Sequence, residues 1–444
     1  MIVYSSQKEK LTLSDIPISA GSGGEGEIHS VLSKPARFGE VCVKIYFKPK
    51  RTSSLEQKIK YMVANPPATI SPAGSMIGWP LEVVYDLQGH FLGFVMPLAF
   101  SGSEKLIHLT STKLSKRLNP IWADKFDRSL GAVSMLARLK LICNIAIPIH
   151  VLHSTNRYVL KDFKPENVLV TPEGRVTLVD MDSVQITENG RLLFPGTAAT
   201  PNYMPPEYYM GHVGKNINVP IEKTWDYFSI GVVFYQLIFG IHPYNVTPLV
   251  MMNSESNEIY QNIARNLFPF GANAARIKAY PAIHNNFNNL PTTLQLLFKA
   301  ALSDKGNERP TPEAWVKVLK KEILKAPKPH TSLFGTIEVR SIPSYARVTM
   351  DGKYQGTTPI DIKATEGIHT LILTHTTGSR TYAVVVDKGK TKYLSVNLNA
   401  NKDDQDNNQN SSKEEVKYGC FHALWPFLLA GLIITLCIII GSNS

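Results

Sequence analysis

The sequence predicts an α+β chain built from a large mixed domain, a small all-β domain and one membrane-spanning helix. Three observations carry that reading. Residues 10 to about 325 mix strand-like and helix-like apolar patterns, whereas residues 335–399 alternate apolar and polar positions as half-buried strands do. From Ala423 to Ile440 the chain is apolar and uncharged. A length of 444 residues accommodates several domains.

Composition narrows the classes. Apolar residues make up 43% and charged residues 19%, as in a globular protein with a greasier part attached. The formal charge is +11, but the basic residues are scattered. No basic–aromatic cluster marks a nucleic-acid surface, and no nucleic acid is expected as a partner. The cysteines are Cys42, Cys143, Cys420 and Cys437, without zinc spacing or a disulfide framework, which points to a reducing compartment. Met1 to Lys10 is polar and charged, unlike a secretory leader.

The chemistry begins at Gly21-Ser-Gly23-Gly-Glu-Gly26-Glu-Ile28, a glycine-rich segment between strand-like stretches. Glycines there let backbone amides close over phosphates, although a merely flexible loop fits the same spacing. Val41-Cys-Val-Lys44-Ile45 then sets a lysine inside an apolar strand, costly to bury unless an anion meets it. Further on come Leu160-Lys-Asp162-Phe-Lys164-Pro-Glu-Asn167 and Leu178-Val-Asp180-Met-Asp182-Ser183.

Here the chain closely resembles the catalytic and metal-binding loops of eukaryotic-like (Hanks-type) protein kinases. The family's order continues in Thr200-Pro-Asn-Tyr-Met-Pro-Pro-Glu207, in Trp225-Asp226 and in Glu308-Arg309-Pro-Thr. Asp-x-Asp-Ser-x-Gln with Met-Pro-Pro-Glu resembles a divergent bacterial branch of it. The resemblance implies a two-lobed kinase domain over 10–325 that transfers the γ-phosphate of ATP, with Mg²⁺ or Mn²⁺, to serine or threonine hydroxyls of a protein substrate. It implies that Asp162 accepts or orients the hydroxyl proton and that Lys164 neutralises charge on the transferred group. ATP would be held by Gly21, Gly23, Gly26, Ile28 and Lys44, with Met96 and Leu98 against the adenine. Glu56 is the expected carboxylate partner of Lys44, a solvated surface place being the alternative. Asn167 and Asp180 would hold the metal ions. Thr200, Glu207, Asp226 and Arg309 would brace the structure.

Three departures stand out. Leu160-Lys161 replaces the family's His-Arg, and lysine cannot reproduce arginine's bidentate grip on an activation-loop phosphate, although Ser183, Thr187 and Thr197 are available. Met181 replaces phenylalanine. Asp182 replaces glycine, either capping its loop or adding a metal contact. These changes keep open a second class of function, a pseudokinase scaffold docking partners at the membrane.

Beyond the break at Ala326-Pro-Lys-Pro-His330, Pro343-Ser-Tyr-Ala346, Asp351-Gly352 and Gly356-Thr-Thr-Pro359 resemble a PEGA domain, a small β-sandwich. It spans 335–399 and has a protein partner or spacer role as its expectation. Residues 400–417 are polar and low in complexity, a disordered tether. Residues 421–441 are expected to form the transmembrane helix, with Trp425 at one interface. Lys413 and Lys417 precede the span, which predicts a C-terminal anchor with both domains on the cytoplasmic side.

Overall fold

Six strands close on themselves near the N-terminus. They are β1 (Ile2–Ser5), β2 (Lys10–Ser19), β3 (Gly26–Ser33), β4 (Val41–Tyr46), β5 (Glu82–Tyr85) and β6 (Phe91–Pro97), joined in the order β1-β2-β3-β4-β6-β5. The computed structural model describes residues 1–19, 24–67, 76–210, 219–250, 257–325, 334–387 and 389–399. The barrel takes in β1, upstream of residue 10, because Ile2–Tyr4 pair with Lys10–Thr12 and Tyr4–Ser5 with Val84–Tyr85. Its interior is Val3, Leu11, Val43, Val84 and Val95.

Between β4 and β5 lies helix α1 (Ser53–Ala64), started by Thr52, whose side chain accepts from the Leu55 amide. Its inward stripe is Lys58, Ile59 and Met62, with Leu55 partly buried. The C-terminal end is tied down: Asn65 Oδ1 accepts from Arg157, the Asn65 carbonyl from the Tyr158 hydroxyl, and Tyr61 donates to Glu188 at 2.9 Å.

The larger lobe is mainly helical. Its axis is α2 (Ala132–Ser154), apolar around most of its girth and buried through the middle. Among the described residues this is the helix long and apolar enough to cross a membrane, but its sides are covered by α3 (Thr224–Phe239) and by Pro312–Lys325, as an all-round apolar core helix requires. α3 is buried along nearly its whole length. Short hairpin β7 (Val168–Val170) and β8 (Val176–Leu178) carries the loops discussed below.

The chain divides into two compact units, 1–328 and 329–444. In the second, β9 (Phe334–Ile342), β10 (Arg347–Met350), β11 (Lys353–Thr357), β12 (Ile360–Thr365), β13 (Gly367–His375), β14 (Gly378–Val386) and β15 (Thr391–Asn397) form two sheets. Their orders are β12-β9-β15 and β11-β10-β13-β14. Alternate residues, among them Ile337, Val339, Val348, Leu371, Leu373 and Val396, make one core. The Asp351-Gly352 turn has φ of 51° and 79°, the double left-handed geometry that this dipeptide favours in hairpins. The expected tether at 400–417 and the membrane helix at 421–441 lie outside the described residues.

Candidate active site

β4 is buried on both faces, so its alternation sorts two cores. Val41, Val43 and Ile45 point into the barrel, while Cys42 and Tyr46 join the core that runs on into the helical lobe. Lys44 has the parity of Cys42 and Tyr46 and therefore faces the cleft. Its neighbours must come unusually close. A Cβ on Gly93 would fall 1.8 Å from the Lys44 carbonyl oxygen, and one on Gly26 2.3 Å from that of Ile45. Glycine is required at both places. Ile28, opposite Lys44 on β3, packs its half-buried side chain against the main core. Gly21 and Gly23 fall outside the described residues.

The residues of the loop 160–167 converge. The Asp162 carboxylate accepts from Thr200 Oγ1 at 2.6 Å through one oxygen and pairs with Lys164 Nζ at 2.7 Å through the other. Lys164 also donates to Thr200 at 2.9 Å, closing a ring of three side chains. Asn167 turns its amide nitrogen to the Asp162 carbonyl at 2.9 Å, which leaves the amide oxygen for a cation. Asp162, Asn167 and Asp180 line one pocket with Leu160, Phe163 and Leu178.

Two non-glycine residues of this site, Lys161 and Asp180, have left-handed backbone, φ 60° and 61°. Such conformations persist only where surroundings enforce them. Asp226, fully buried on α3, does so for the first: it accepts from the Leu160 and Lys161 amides at 2.7 and 2.8 Å and meets His153 Nε2 at 2.8 Å. Ser183 holds the second, donating from its amide and its hydroxyl to the Asp180 carbonyl. Glu207 and Arg309 form a two-pronged pair at 2.6 and 2.7 Å, and Arg309 donates further to the Thr224 and Ser303 carbonyls.

Lys44 differs from expectation. It binds Asp182 Oδ2 at 2.7 Å and Oδ1 at 3.0 Å, and Asp180 Oδ1 at 3.3 Å. Glu56 is not its partner. That carboxylate accepts from the Tyr85 hydroxyl at 3.1 Å and pairs with Lys60 at 2.7 Å. The reason is helical geometry: Glu56 precedes Lys58 by two residues, about 200° around the helix, so burying Lys58 turns Glu56 away from the cleft. Asp182 is not a loop cap either; its second donor is the Tyr46 hydroxyl at 2.6 Å. Burial opposes the Lys44 ammonium, but Asp182 and Asp180 outweigh it and hold its pKa above the ordinary lysine value. Burial likewise opposes the Asp182 carboxylate, and Lys44, with Tyr46 and Lys58, keeps it below the ordinary range. Tyr46 and Lys58 were not among the expected site residues, and Asp182 was expected as a loop cap or a metal contact, not as the partner of Lys44. The alternation of β4 was the available signal for Tyr46, and the Leu55–Lys58–Met62 stripe for Lys58.

Lys161 Nζ donates to the Gly196 carbonyl at 2.8 Å, an intramolecular hold on the segment before Thr200. Met96 is buried at the end of β6, its sulfur near Gly78, and the Leu98 amide donates to Glu40. The oxygen donors Asn167 and Asp180 suit a hard cation such as Mg²⁺, and the lysine beside them suits a phosphate.

Residues 123–322 match the family model described as protein kinase domain, and residues 334–402 the one described as PEGA domain. The chain is 25% identical over 322 residues to Protein kinase YegI of Escherichia coli K12, covering 71% of this chain and 45% of that protein. It is 27% identical over 227 residues to the dual specificity protein kinase shkD of Dictyostelium discoideum, covering 50% and 26%. With the human serine/threonine-protein kinase MRCK gamma it shares 31% over 128 residues, 26% of this chain and 8% of that one. The chain spans less than half the length of these relatives. It carries a protein kinase domain of mixed helices and strands followed by a β-rich domain.

Proposed function

We propose that the chain is a serine/threonine protein kinase that transfers the γ-phosphate of Mg-ATP to protein hydroxyls. The observation that carries this reading is the Asp162–Lys164–Thr200 ring beside Asn167 and Asp180. Such a ring presents an acceptor for the substrate hydroxyl's proton and a cation for the group in flight, the positioning chemistry that phosphoryl transfer needs. Bound Mg²⁺ would be held by Asn167 and Asp180 and would neutralise phosphate charge. Lys44 would hold the α- and β-phosphates, beneath Ile28 and the glycine-rich segment, with Met96 and Leu98 against the base. A lysine at position 164 is the serine/threonine pattern within the family resemblance.

The uncharged run 423–440 supports tethering at the cytoplasmic face of a membrane, and the β domain is a candidate for contacts with a protein partner. The test is phosphate transfer from labelled ATP by the full-length chain with Mg²⁺ or Mn²⁺. Asp162→Ala is expected to reduce transfer by about a hundredfold or more, and Asp180→Ala to abolish it. Transfer that survives both changes would sink the assignment. Nucleotide binding without transfer, together with a cellular role that survives Asp162→Ala, would favour the scaffold.

A further inference from the structure

Helix α1 buries a charge that nothing among the described residues neutralises by direct contact. Leu55, Ile59 and Met62 on its inward stripe pack into the main core, as an apolar stripe should. Lys58 shares that stripe. It is 4% exposed, and its Nζ makes no hydrogen bond or ion pair among the described residues. An ammonium in that position is unfavourable unless an anion reaches it.

The charges around it locate that anion. Asp182 and then Glu25 attract Lys58, while Lys161 and Lys44 repel it. They belong to four different segments: the turn after Asp180, the glycine-rich hairpin, the catalytic loop and β4. All four border the cleft where Lys44 and Asp180 lie. Asp182 is already engaged, giving both oxygens to Lys44 and one of them also to Tyr46. One buried carboxylate thus faces two buried lysines, since the Asp180 side chain is 49% exposed. The site is short of one negative group.

We infer that Lys58 is a second phosphate-binding lysine of the nucleotide site, so that ATP is held by Lys44 from the strand and by Lys58 from helix α1. The inference rests on the nucleotide-site reading above. It gives helix α1 a direct stake in the ligand: a nucleotide's phosphates, and not its base, draw the helix onto the cleft.

The experiment measures binding of ATP, ADP, adenosine and inorganic phosphate to the full-length chain with Mg²⁺ present, for wild type, Lys58→Met and Lys58→Arg. Loss of one charge-assisted contact predicts that Lys58→Met weakens ATP about tenfold or more, weakens ADP similarly, and leaves adenosine unchanged. Lys58→Arg keeps the charge and is expected to retain most of the preference for ATP over adenosine. Wild-type binding of free phosphate that Lys58→Met removes would support the same contact in its simplest form. A wild-type ratio of ATP to adenosine affinity in both variants overturns the inference and leaves the kinase reading intact. Equal weakening of ATP and adenosine also overturns it, because a purely structural lysine would act that way. Should Lys58→Met fail to fold, Lys58→Gln takes its place: an ATP-to-adenosine ratio that stays at the wild-type value overturns the inference, and a lowered ratio supports it. Wild type that binds no ATP overturns both.

Discussion

Asp182 serves three donor contacts with one carboxylate, two from Lys44 and one from Tyr46, all out of water. Removing one member of a buried pair leaves the other uncompensated, typically at about 3–5 kcal/mol. Asp182→Ala is therefore expected to lower unfolding free energy by roughly that amount and to reduce phosphate transfer, both measurable on one preparation. Glu56→Ala is the contrast, since its i,i+4 pair with the exposed Lys60 contributes only about 0.3–0.5 kcal/mol; transfer within about twofold of wild type is expected, and a collapse of activity would restore Glu56 to the site. Lys58 adds a pH dependence. Burial pushes its pKa down to about 8 from 10.5, with Asp182 and Glu25 opposing. The folded form therefore binds fewer protons than the unfolded one between those values, and stability rises with pH across that window. Below about pH 8 the full cost of the buried charge is present, on the order of 3 kcal/mol. Lys58→Met should accordingly be more stable than wild type at pH 7 in denaturant titration, with the gap closing towards pH 10.5. A gap that widens with pH would contradict the assignment of the charge to Lys58.

At the scale of elements, what could be read from sequence was what contiguous motifs encode. Asp162, Lys164 and Asn167 sit in one loop, and Thr200 and Asp226 fall in further short motifs, so the structure brings them together as the family resemblance implied. The Lys44–Asp182 pair was not legible, because its partners are 138 residues apart and a helix-borne acid was the expected alternative. Position alone placed Glu56 near Lys44; the 3.6-residue period of α1, read through Leu55, Lys58 and Met62, would have turned it away. Lys161 is the converse case. Its substitution for arginine promised a weaker grip on a phosphate, and the structure shows what the lysine does instead: it ties the loop 160–167 to Gly196, where a Cβ would fall 2.7 Å from the lysine's own side chain. A hydrogen bond from a charged donor contributes about 1.5–3 kcal/mol. Lys161→Met should therefore loosen the segment 191–199, giving faster proteolysis there and lower transfer, with the global unfolding transition moved far less. Unchanged cleavage would show that the segment is held by Thr200 alone.

At the scale of the whole molecule, the two units do not share a core, and the main core of the first is separate from that of the second. The larger runs from Tyr46 and Trp79 through α2 and α3 to Trp315, all in residues 1–328, whereas the smaller is confined to strands of residues 334–399. Sequence alternation made the second core visible, since a period of two in each strand is a local property; the strand order within each sheet was not visible, because pairing such as the parallel match of Thr336–Ile342 with Thr391–Asn397 is set by which edges remain to be covered. Separate cores imply separable stabilities. Leu371 is fully buried between Val348, Leu373 and their neighbours, and truncating such a leucine costs about 2–5 kcal/mol. For a unit of this size each kcal/mol moves the melting temperature by about 4–8 °C. Leu371→Ala is thus expected to lower one calorimetric transition of the full-length chain by about 8 °C or more, to leave the other in place, and to leave ATP affinity at its wild-type value. If both transitions fall together, the units unfold as one cooperative body, and changes in the β-rich unit would then reach the Asp162 site through stability.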